Sequence, residues 1–307
     1  MIDLNNLKFV QENREKEHFY SSDFGKSLID LYFAFTKEPV TNPPKWSDTL
    51  KWEAGKGVES GMLIILKMNG VVPQDYDQKE HGRIELKYKT IQINGYIDAL
   101  TVTGLPIEIK SINNKNAFDI SKYENGYPRE NYVGQLATYM ESKGVDRGFL
   151  FVASVDGLSY FWFECQALGN GKYKCGNVTV DLYKEWDKWV ELKDIVDSGS
   201  PAPFNYIFEY VYKFPIENID WNDISKTDIG KARNGHKVIG DWQVLWSNWK
   251  NRLIELQNTT LGYTEEELSR IKQLTEGYSV RGWVFDKDKK PLPRVEIPAE
   301  NYFDTLN

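Results

Sequence analysis

Two stretches near the start of the chain carry apolar residues at the three- and four-residue spacing of an amphipathic helix. The first covers residues 24–35, and residues 21–23 in front of it (Ser-Ser-Asp) favour the N-cap position. The second starts at a capping Ser47 and extends roughly to Met68. The pattern therefore predicts two helices, one after the other, in the first part of the chain.

From residue 83 onwards, apolar and polar positions alternate, which is the period of a β-strand. This alternation predicts strands over residues 83–89, 91–102 and 105–111. The polar stretch 113–129 is typical of a long loop, and long loops in compact domains tend to be functional. A helix is predicted over residues 130–142.

A further group of strands is predicted after this helix. Residues 149–153 and 158–165 have the composition of strands, and the Asp-Gly pair between them is a typical hairpin turn. Residues 173–180 favour another strand, and a helix is expected to end near Val196. Together these elements predict an α/β protein with a central mixed β-sheet flanked by helices.

A small, polar, proline-bearing stretch at residues 197–203 is the best candidate for a domain boundary. We therefore predict a core at residues 1–196 and an aromatic-rich, mainly helical C-terminal extension of unknown role at residues 197–307. Tryptophans at helical spacing in the extension predict a helix over residues 236–257. We interpret their stripe as a packing seam.

Composition narrows the class of protein. The chain is 41% hydrophobic and 27% charged, which excludes a disordered or fibrous chain. It has no apolar run of about 18 residues, so no membrane span is expected. A net charge of −7 argues against a nucleic-acid coat protein but is compatible with an enzyme that has a local basic path. The two cysteines, Cys165 and Cys175, are expected to be free thiols in a reducing cytoplasm.

Candidate chemistry centres on two acidic residues and a lysine in neighbouring strands. If residues 102–104 form a hairpin loop with Gly104 in the left-handed conformation, Asp98 lies directly opposite Glu108. Opposed carboxylates sit about 5 Å apart at Cβ and repel each other. A divalent cation between them would turn this repulsion into coordination. Lys110 shares the strand face of Glu108 and points into the same space.

These residues resemble the PD-(D/E)XK nuclease superfamily, in particular its RecB-type and phage lambda-type exonucleases. Gly95 and Asp98 match the Gly-x-x-Asp form of the first acid of the family, and Glu108 with Lys110 matches the (D/E)-x-K pair. The likeness covers residues 21–165. The chain lacks the four cysteines that hold an iron–sulfur cluster in several RecB-like members, which favours the cluster-free phage-type branch.

The predicted helices before and after the sheet extend the resemblance. Gln135 and Tyr139 match the Gln-x-x-x-Tyr arrangement of RecB-type members, and their spacing places both side chains on one helical face. In the family, such a pair helps to hold the catalytic lysine and the substrate backbone. The acid that the family carries on the helix before the sheet corresponds to Glu59, and Glu53 on the same predicted helix is the competing candidate.

The resemblance implies a restriction-endonuclease-like core and a Mg²⁺-dependent DNA exonuclease, with Mn²⁺ as a substitute metal. It implies a role in bacterial or phage DNA recombination or repair, in the bacterial or phage-infected cytoplasm. The implied catalytic group is Asp98, Glu108, Lys110, Gln135 and Tyr139. The implied metal ligands are Glu59, Asp98, Glu108 and the carbonyl of Ile109. DNA contacts are expected from Lys110, Gln135 and Tyr139, and from Lys87 and Lys89 if their basic run is more than a solvated strand face.

Several alternatives stay open. The first is an endonuclease of the same superfamily, of the restriction or junction-resolving type. The second is a catalytically silent nucleic-acid-binding recombination partner. A carbohydrate-active protein with paired carboxylates ranks last, because Lys110 and the Gln135/Tyr139 helix have no role in it. For the extension, DNA contact, a homo-oligomer and a partner such as a single-strand annealing protein are equally compatible with the sequence.

Overall fold

The computed structural model describes residues 16–44, 46–112, 117–155, 159–203, 238–239, 247–261, 266, 283–285 and 291–292. The chain forms two compact units. The first contains the described residues up to Lys26 and those from Pro44 to Ser200, and the second contains Ser27–Pro43 and the described residues from Pro201 onwards. The division into domains at residues 196 and 197 stays a prediction.

The first unit contains a small and a large sheet. The small sheet has the order β1-β3-β2, with β1 parallel to β3 and β2 antiparallel to it. Its strands are β1 (Phe19–Tyr20), β2 (Arg83–Tyr88) and β3 (Ile91–Tyr96). A 3-10 turn at Ser21–Asp23 follows β1 directly.

The large sheet is mixed and has the order β4-β5-β6-β7-β8-β9. Its strands are β4 (Ala99–Leu100), β5 (Pro106–Ile112), β6 (Arg147–Ser154), β7 (Tyr160–Gly169), β8 (Lys172–Cys175) and β9 (Val178–Asp181). Strands β5 and β6 are parallel, and the other neighbours are antiparallel.

The helices follow the apolar periodicity of the sequence. In chain order they are α1 (Leu28–Phe35), α2 (Trp46–Met68), α3 (Gln78–His81), α4 (Ala117–Glu124), α5 (Glu130–Lys143), α6 (Leu182–Asp197) and α7 (Lys250–Leu261). None of these helices is long and apolar enough to cross a lipid bilayer.

The two faces of the large sheet are covered by different helices. On one face, Met62 and Leu66 of α2 pack against Ile107 and Ile109 of β5. On the other face, α5 packs so closely that a Cβ on Gly148 of β6 would lie 3.0 Å from Met140. The central mixed sheet flanked by helices is therefore confirmed. Alternate residues of β5 face different helices, which places Glu108 and Lys110 on the α5 side.

Three local predictions are wrong. Helix α1 is capped by Ser27, whose side chain accepts a hydrogen bond from the Asp30 backbone N–H, because Gly25 at φ +74° separates it from the 3-10 turn. The predicted long loop 113–129 contains α4. The predicted strand 173–180 is the hairpin β8–β9, since Gly176 at φ +57° allows a tight turn.

The prediction of free thiols is also wrong. Cys165 in β7 lies directly opposite Cys175 in β8, and a disulfide joins them. Strand β7 continues to Gly169 and turns directly into β8, which brings the two cysteines together. The sequence pattern ended the strand at Cys165 and therefore gave no reason to pair these residues.

Within the second unit, Glu38, which follows α1, accepts hydrogen bonds from residues at and just before the start of α7. The Trp249 indole donates to the Glu38 carbonyl at 2.9 Å, and Arg252 Nε donates to the Glu38 carboxylate at 2.8 Å. The unit also contains an antiparallel sheet of β10 (Val238–Ile239), β11 (Trp283–Phe285) and β12 (Pro291–Leu292).

The helix predicted over residues 236–257 is wrong at residues 238–239 and 247–249. Residues 238–239 form β10, and the helix begins at Lys250. Trp242 and Trp246, which were expected to continue its apolar stripe, lie outside the described residues.

We expect Gly134→Ala to destabilise the protein by about 1–3 kcal/mol, because overpacking of a core costs that much. A Cβ on Gly134 of α5 would lie 2.1 Å from the Phe24 ring. Gly57→Ala, at an exposed position of α2, is the matched control, since no atom lies within 4 Å of its added Cβ. Helix propensity should make that variant about 0.5–1 kcal/mol more stable. Urea unfolding measures both, and equal effects of the two substitutions would contradict the packing of α5.

Candidate active site

The β4–β5 hairpin places Asp98 next to Glu108. Ala99 pairs with Ile107 and Leu100 with Pro106, and Gly104 in the connecting loop has φ +82°. This register and loop conformation confirm the prediction. Asp98 and Glu108, the next two residues away from the loop, therefore lie opposite each other. Asp98 itself lies in a bend between β3 and β4.

Both carboxylate oxygens of Asp98 accept a hydrogen bond. Oδ2 accepts from the backbone N–H of Ile109 at 2.8 Å, and Oδ1 accepts from Nε2 of Gln78 in α3 at 3.0 Å. Strand β4 pairs with β5 at only two residues, so the Ile109 N–H is available to Asp98. In a strand, the N–H and C=O of one residue point to the same side. The Ile109 carbonyl therefore faces the edge at which Asp98 lies.

Glu108 is fully buried, and Lys110 accompanies it. The Lys110 ammonium forms an ion pair with Glu108 Oε1, and a fifth of the Lys110 side chain is exposed. Neither oxygen of Glu108 receives a hydrogen bond of normal geometry from the described residues. Buried carboxylate oxygens normally have such partners, so Glu108 retains a strong capacity to bind a positive group.

Glu59 of α2 approaches the same strand. It is half-buried, its carboxylate accepts a hydrogen bond from the backbone of Ser111, and it interacts electrostatically with Lys110 and Asp98. Glu53 is exposed, and it pairs with Lys56 at 2.6 Å. Of the two candidate acids on α2, Glu53 and Glu59, the structure therefore brings Glu59 to the group. Its role as a metal ligand stays a prediction.

Gln135 and Tyr139 of α5 form a hydrogen bond with each other close to these acids. Gln135 Nε2 donates to the Tyr139 hydroxyl at 2.7 Å, and that hydroxyl donates to the carbonyl of Tyr96 at 2.8 Å. The Ser21 hydroxyl also donates to it, at 3.3 Å. In the described part of the chain, neither Gln135 nor Tyr139 has a hydrogen bond to Lys110. They fix the end of β3 instead.

The glycine of the Gly-x-x-Asp motif has a steric role in this arrangement. A Cβ on Gly95 would lie 2.6 Å from the Ser21 hydroxyl, so only glycine leaves that hydroxyl its place beside Tyr139. Ser21 was not among the candidate residues. Ser21 is far from the motif along the chain, so the sequence gives no signal for this contact.

Two other neighbours of the site were also missed. The ring centroid of Tyr132 lies 5.7 Å from the Lys110 ammonium, which is within the range of a cation–π contact. Its position three residues before Gln135 on one helical face was a signal that could have identified it. Gln78 had no such signal, because its contact depends on how α3 packs.

The buried surroundings of the site raise the pKa values of Asp98 and Glu108. Burial is the largest cause for Asp98 and Glu108, and the Asp98 carboxylate adds to the increase in the pKa of Glu108. Burial alone would lower the pKa of Lys110, but Glu108 and Asp98 outweigh it, and the pKa of Lys110 is raised. Burial and the same two acids raise the pKa of the Tyr139 hydroxyl. Lys110 is therefore an ammonium ion and Tyr139 a neutral phenol at neutral pH.

Lys87 and Lys89 lie away from this group. Lys87 pairs with Gln92 near the β2–β3 turn, whereas Asp98 follows the other end of β3. The Lys89 ammonium contacts Asp187 of α6 at 2.6 Å. The structure does not bring these lysines to the acidic residues, and their contact with DNA stays a prediction.

The donors at the site fit a hard divalent cation. Among the described residues, no group of three or more His, Cys, Asp and Glu side chains has the arrangement of a metal site. The pair of Asp98 and Glu108 is nevertheless suitable, because Mg²⁺ prefers oxygen ligands, keeps several waters and often takes only one or two carboxylates. The buried Glu108 oxygens and the carbonyl of Ile109 are of the required chemical type.

Comparisons with known proteins give weak similarities in structure alone. No family model matches the chain, and no curated protein sequence is similar to it. One similar crystal structure is that of SSO0001, at 17% identity and a TM-score of 0.39, covering 64% of this chain and 84% of that one. Another is an alkaline exonuclease, LHK-Exo from Laribacter hongkongensis, at 15% identity and a TM-score of 0.37, covering 59% and 90%. Its complex with dAMP matches at 16% identity with the same TM-score and coverage.

We expect Asp98→Asn to be more stable than the wild type in metal-free buffer. The folded state raises the pKa of Asp98, so the unfolded chain releases this proton at a lower pH. Wild-type stability therefore falls as the pH rises above about 4, the ordinary pKa of aspartate, and the neutral amide avoids this loss.

The gain should be present at neutral pH and should disappear in acid, where Asp98 is protonated in the folded and the unfolded chain alike. Urea unfolding in EDTA across this pH range measures it. Asp187→Asn is the control, because the pKa of this exposed aspartate is lowered by Lys89 and no gain is expected. A variant that is less stable than the wild type at neutral pH would contradict the described surroundings of Asp98.

Proposed function

We propose that the protein is a metal-dependent deoxyribonuclease that hydrolyses phosphodiester bonds, with Mg²⁺ as its metal and Mn²⁺ as a substitute. The observation that carries the proposal is the fully buried Glu108 carboxylate, whose polar neighbours among the described residues are the Asp98 carboxylate and the Lys110 ammonium. One structurally similar protein is an alkaline exonuclease. A similarity this weak supports no conclusion about function, so the site itself is the basis of the proposal.

Asp98, Glu108 and the Ile109 carbonyl would hold the cation, with Glu59 on the neighbouring side. A bound Mg²⁺ would lower the pKa of a water ligand and stabilise negative charge on the phosphodiester. The raised pKa of Lys110 keeps this side chain cationic. Lys110 therefore acts by stabilising developing negative charge and orienting the attacking water, rather than as a general base.

Helix α5 would support the reaction by fixing the backbone next to Asp98. The Tyr139 hydroxyl binds the carbonyl of Tyr96, two residues before Asp98, and Gln135 fixes that hydroxyl. The pair thus holds the backbone that carries Asp98. Contact of Gln135 and Tyr139 with the DNA strand belongs to the proposal, and it requires Gln135 to exchange its bond to Tyr139 for one to the substrate.

We favour an exonuclease over an endonuclease of the same superfamily on the basis of the sequence resemblance. A catalytically silent DNA-binding protein is disfavoured, because such a protein has no need to keep Asp98, Glu108 and Lys110 together at an energetic cost. We further propose a role in DNA recombination or repair, with a single-strand annealing protein as the partner. The proposed place of action is the bacterial or phage-infected cytoplasm, although disulfides are uncommon in such reducing compartments.

We expect Lys110→Ala to reduce DNA cleavage by about 100- to 1000-fold, the usual cost of removing a group that stabilises charge in the transition state. The assay uses linear DNA with each end labelled and blocked in turn, and closed circular DNA, both with Mg²⁺. An exonuclease leaves the circle intact, whereas an endonuclease opens it. Lys193→Ala is the control, because Lys193 forms an ion pair with Asp197 on the surface of α6. Undiminished cleavage by Lys110→Ala would remove this mechanism.

The two candidate acids on α2, Glu59 and Glu53, provide a second test. Glu59→Gln should lower the cleavage rate about 10-fold or more, a typical effect of losing a residue that supports a metal ligand. Glu53→Gln should leave the rate unchanged, since Glu53 is exposed and paired with Lys56. Initial rates at several Mg²⁺ concentrations measure both effects. Equal rates for the two variants would show that Glu59 has no part in the site.

A further inference from the structure

We infer that Tyr76, Gln78 and Gly82 are positioning residues that orient Asp98 for cation binding. They lie in the segment between α2 and β2, outside all the motifs of the sequence resemblance. The inference rests on the proposed function, because it assigns these residues to the same metal site. It follows from three independent contacts of this segment with Ile97 and Asp98.

The first two contacts fix the backbone just before Asp98. The Ile97 N–H donates to the carbonyl of Gly82 at 2.8 Å, and the Tyr76 hydroxyl donates to the carbonyl of Ile97 at 2.8 Å. Both backbone groups of Ile97, which is fully buried, are thus bound by one segment. The chain consequently leaves the small sheet at Ile97, and Asp98 projects from a bend rather than from a continuous strand.

Gly82 makes this approach sterically possible. A Cβ at this position would lie 2.4 Å from the Ile97 carbonyl oxygen and 2.8 Å from the Tyr76 hydroxyl. Any other residue would have to displace one of these atoms. Glycine is therefore required at this position by the close contact of two backbone segments. This contact fixes the position of the Asp98 backbone.

The third contact fixes the Asp98 side chain. Gln78 Nε2 binds Oδ1 at 3.0 Å, while the Ile109 N–H binds Oδ2 at 2.8 Å. With one donor on each oxygen, the carboxylate plane cannot rotate without breaking a hydrogen bond. Each oxygen keeps a second lone pair for a cation.

The short helix that carries Gln78 is itself held in place. The Asp77 carboxylate caps it by accepting hydrogen bonds from the backbone N–H groups of Lys79 and Glu80. The Asp77 backbone N–H donates to Nδ1 of His81 at 2.9 Å. Gln78 therefore reaches Asp98 from a fixed support, although its own side chain is exposed.

A fixed carboxylate matters more for Mg²⁺ than for Ca²⁺. Mg²⁺ requires nearly ideal octahedral geometry at about 2.0–2.1 Å, whereas Ca²⁺ accepts six to eight oxygen ligands at about 2.3–2.6 Å in flexible arrangements. A site whose Asp98 rotates freely should lose affinity for Mg²⁺ and keep most of its affinity for Ca²⁺. This selective loss distinguishes positioning from a general structural role.

The test compares Gln78→Ala and Tyr76→Phe with matched controls, using Mg²⁺ alone and Ca²⁺ alone as calorimetric probes. We expect the Kd for Mg²⁺ to rise about five- to tenfold in both variants, which is the lower range for loss of a group that supports a metal ligand. The Kd for Ca²⁺ should change less than about twofold. Thermal unfolding in EDTA should leave Gln78→Ala at the wild-type value, because the lost side chain is exposed.

The controls remove equivalent groups elsewhere. Gln74→Ala removes an exposed glutamine bonded to the carbonyl of Lys67, and Tyr173→Phe removes a hydroxyl that binds Glu141. Both should keep the wild-type affinity for Mg²⁺. Equal affinities for Mg²⁺ in Gln78→Ala, Tyr76→Phe and the wild type would overturn the inference.

The outcome for the proposed function is read separately, from cleavage of linear DNA by the wild type. A wild type that binds Mg²⁺ without cutting DNA overturns the nuclease proposal, while the affinities of the variants still decide the positioning role. A wild type that cuts DNA, with unchanged affinity in both variants, overturns the positioning role alone. A wild type that binds no divalent cation overturns both.

Discussion

The burial of the Glu108 carboxylate beside Asp98 and Lys110 is the interaction on which the rest of the site depends. Removing an ionised carboxylate from water costs several kcal/mol, even after the surroundings relax. One ammonium ion offsets the charge of one acid, so two ionised acids beside a single lysine leave a local excess of negative charge. Burial is the main cause of the raised pKa values of both acids, and the charge of Asp98 adds to the increase for Glu108. In the proposed function, a bound cation would offset this excess of negative charge.

The topology of the large sheet explains how the charges come to be buried together. Strand β5 is covered by α2 on one face and α5 on the other, and β6 lies along one of its edges. The short β4 leaves most of the other edge without a strand partner. The Asp98 carboxylate and the Glu59 carboxylate occupy this edge and accept hydrogen bonds from Ile109 and Ser111. The acids thus complete the backbone hydrogen bonding that a longer β4 would have provided.

Helix α5 contributes to the site in a way that its motif did not indicate. The resemblance assigned Gln135 and Tyr139 to the lysine and the substrate, but in the structure their hydrogen bonds join α5 to the end of β3 and to Ser21. The segment around α3 holds the same backbone from the other side, through Ile97. These contacts fix the backbone of Tyr96 and Ile97 directly before Asp98, which gives a rigid support to an acid that does not lie on β5.

Periodicity and turn chemistry alone established much of this arrangement. The two-residue alternation and the glycine at the hairpin loop were sufficient to predict that Asp98 lies opposite Glu108, because the register of a hairpin is a local property. The family resemblance carried by the acids and Lys110 implied a metal-dependent nuclease as the hypothesis to test. Helix α4, the disulfide, and the contacts of Ser21, Gln78 and Tyr132 became visible only in three dimensions. Each of them depends on how separate segments pack, and packing brings together residues whose distance along the chain leaves no periodic signal.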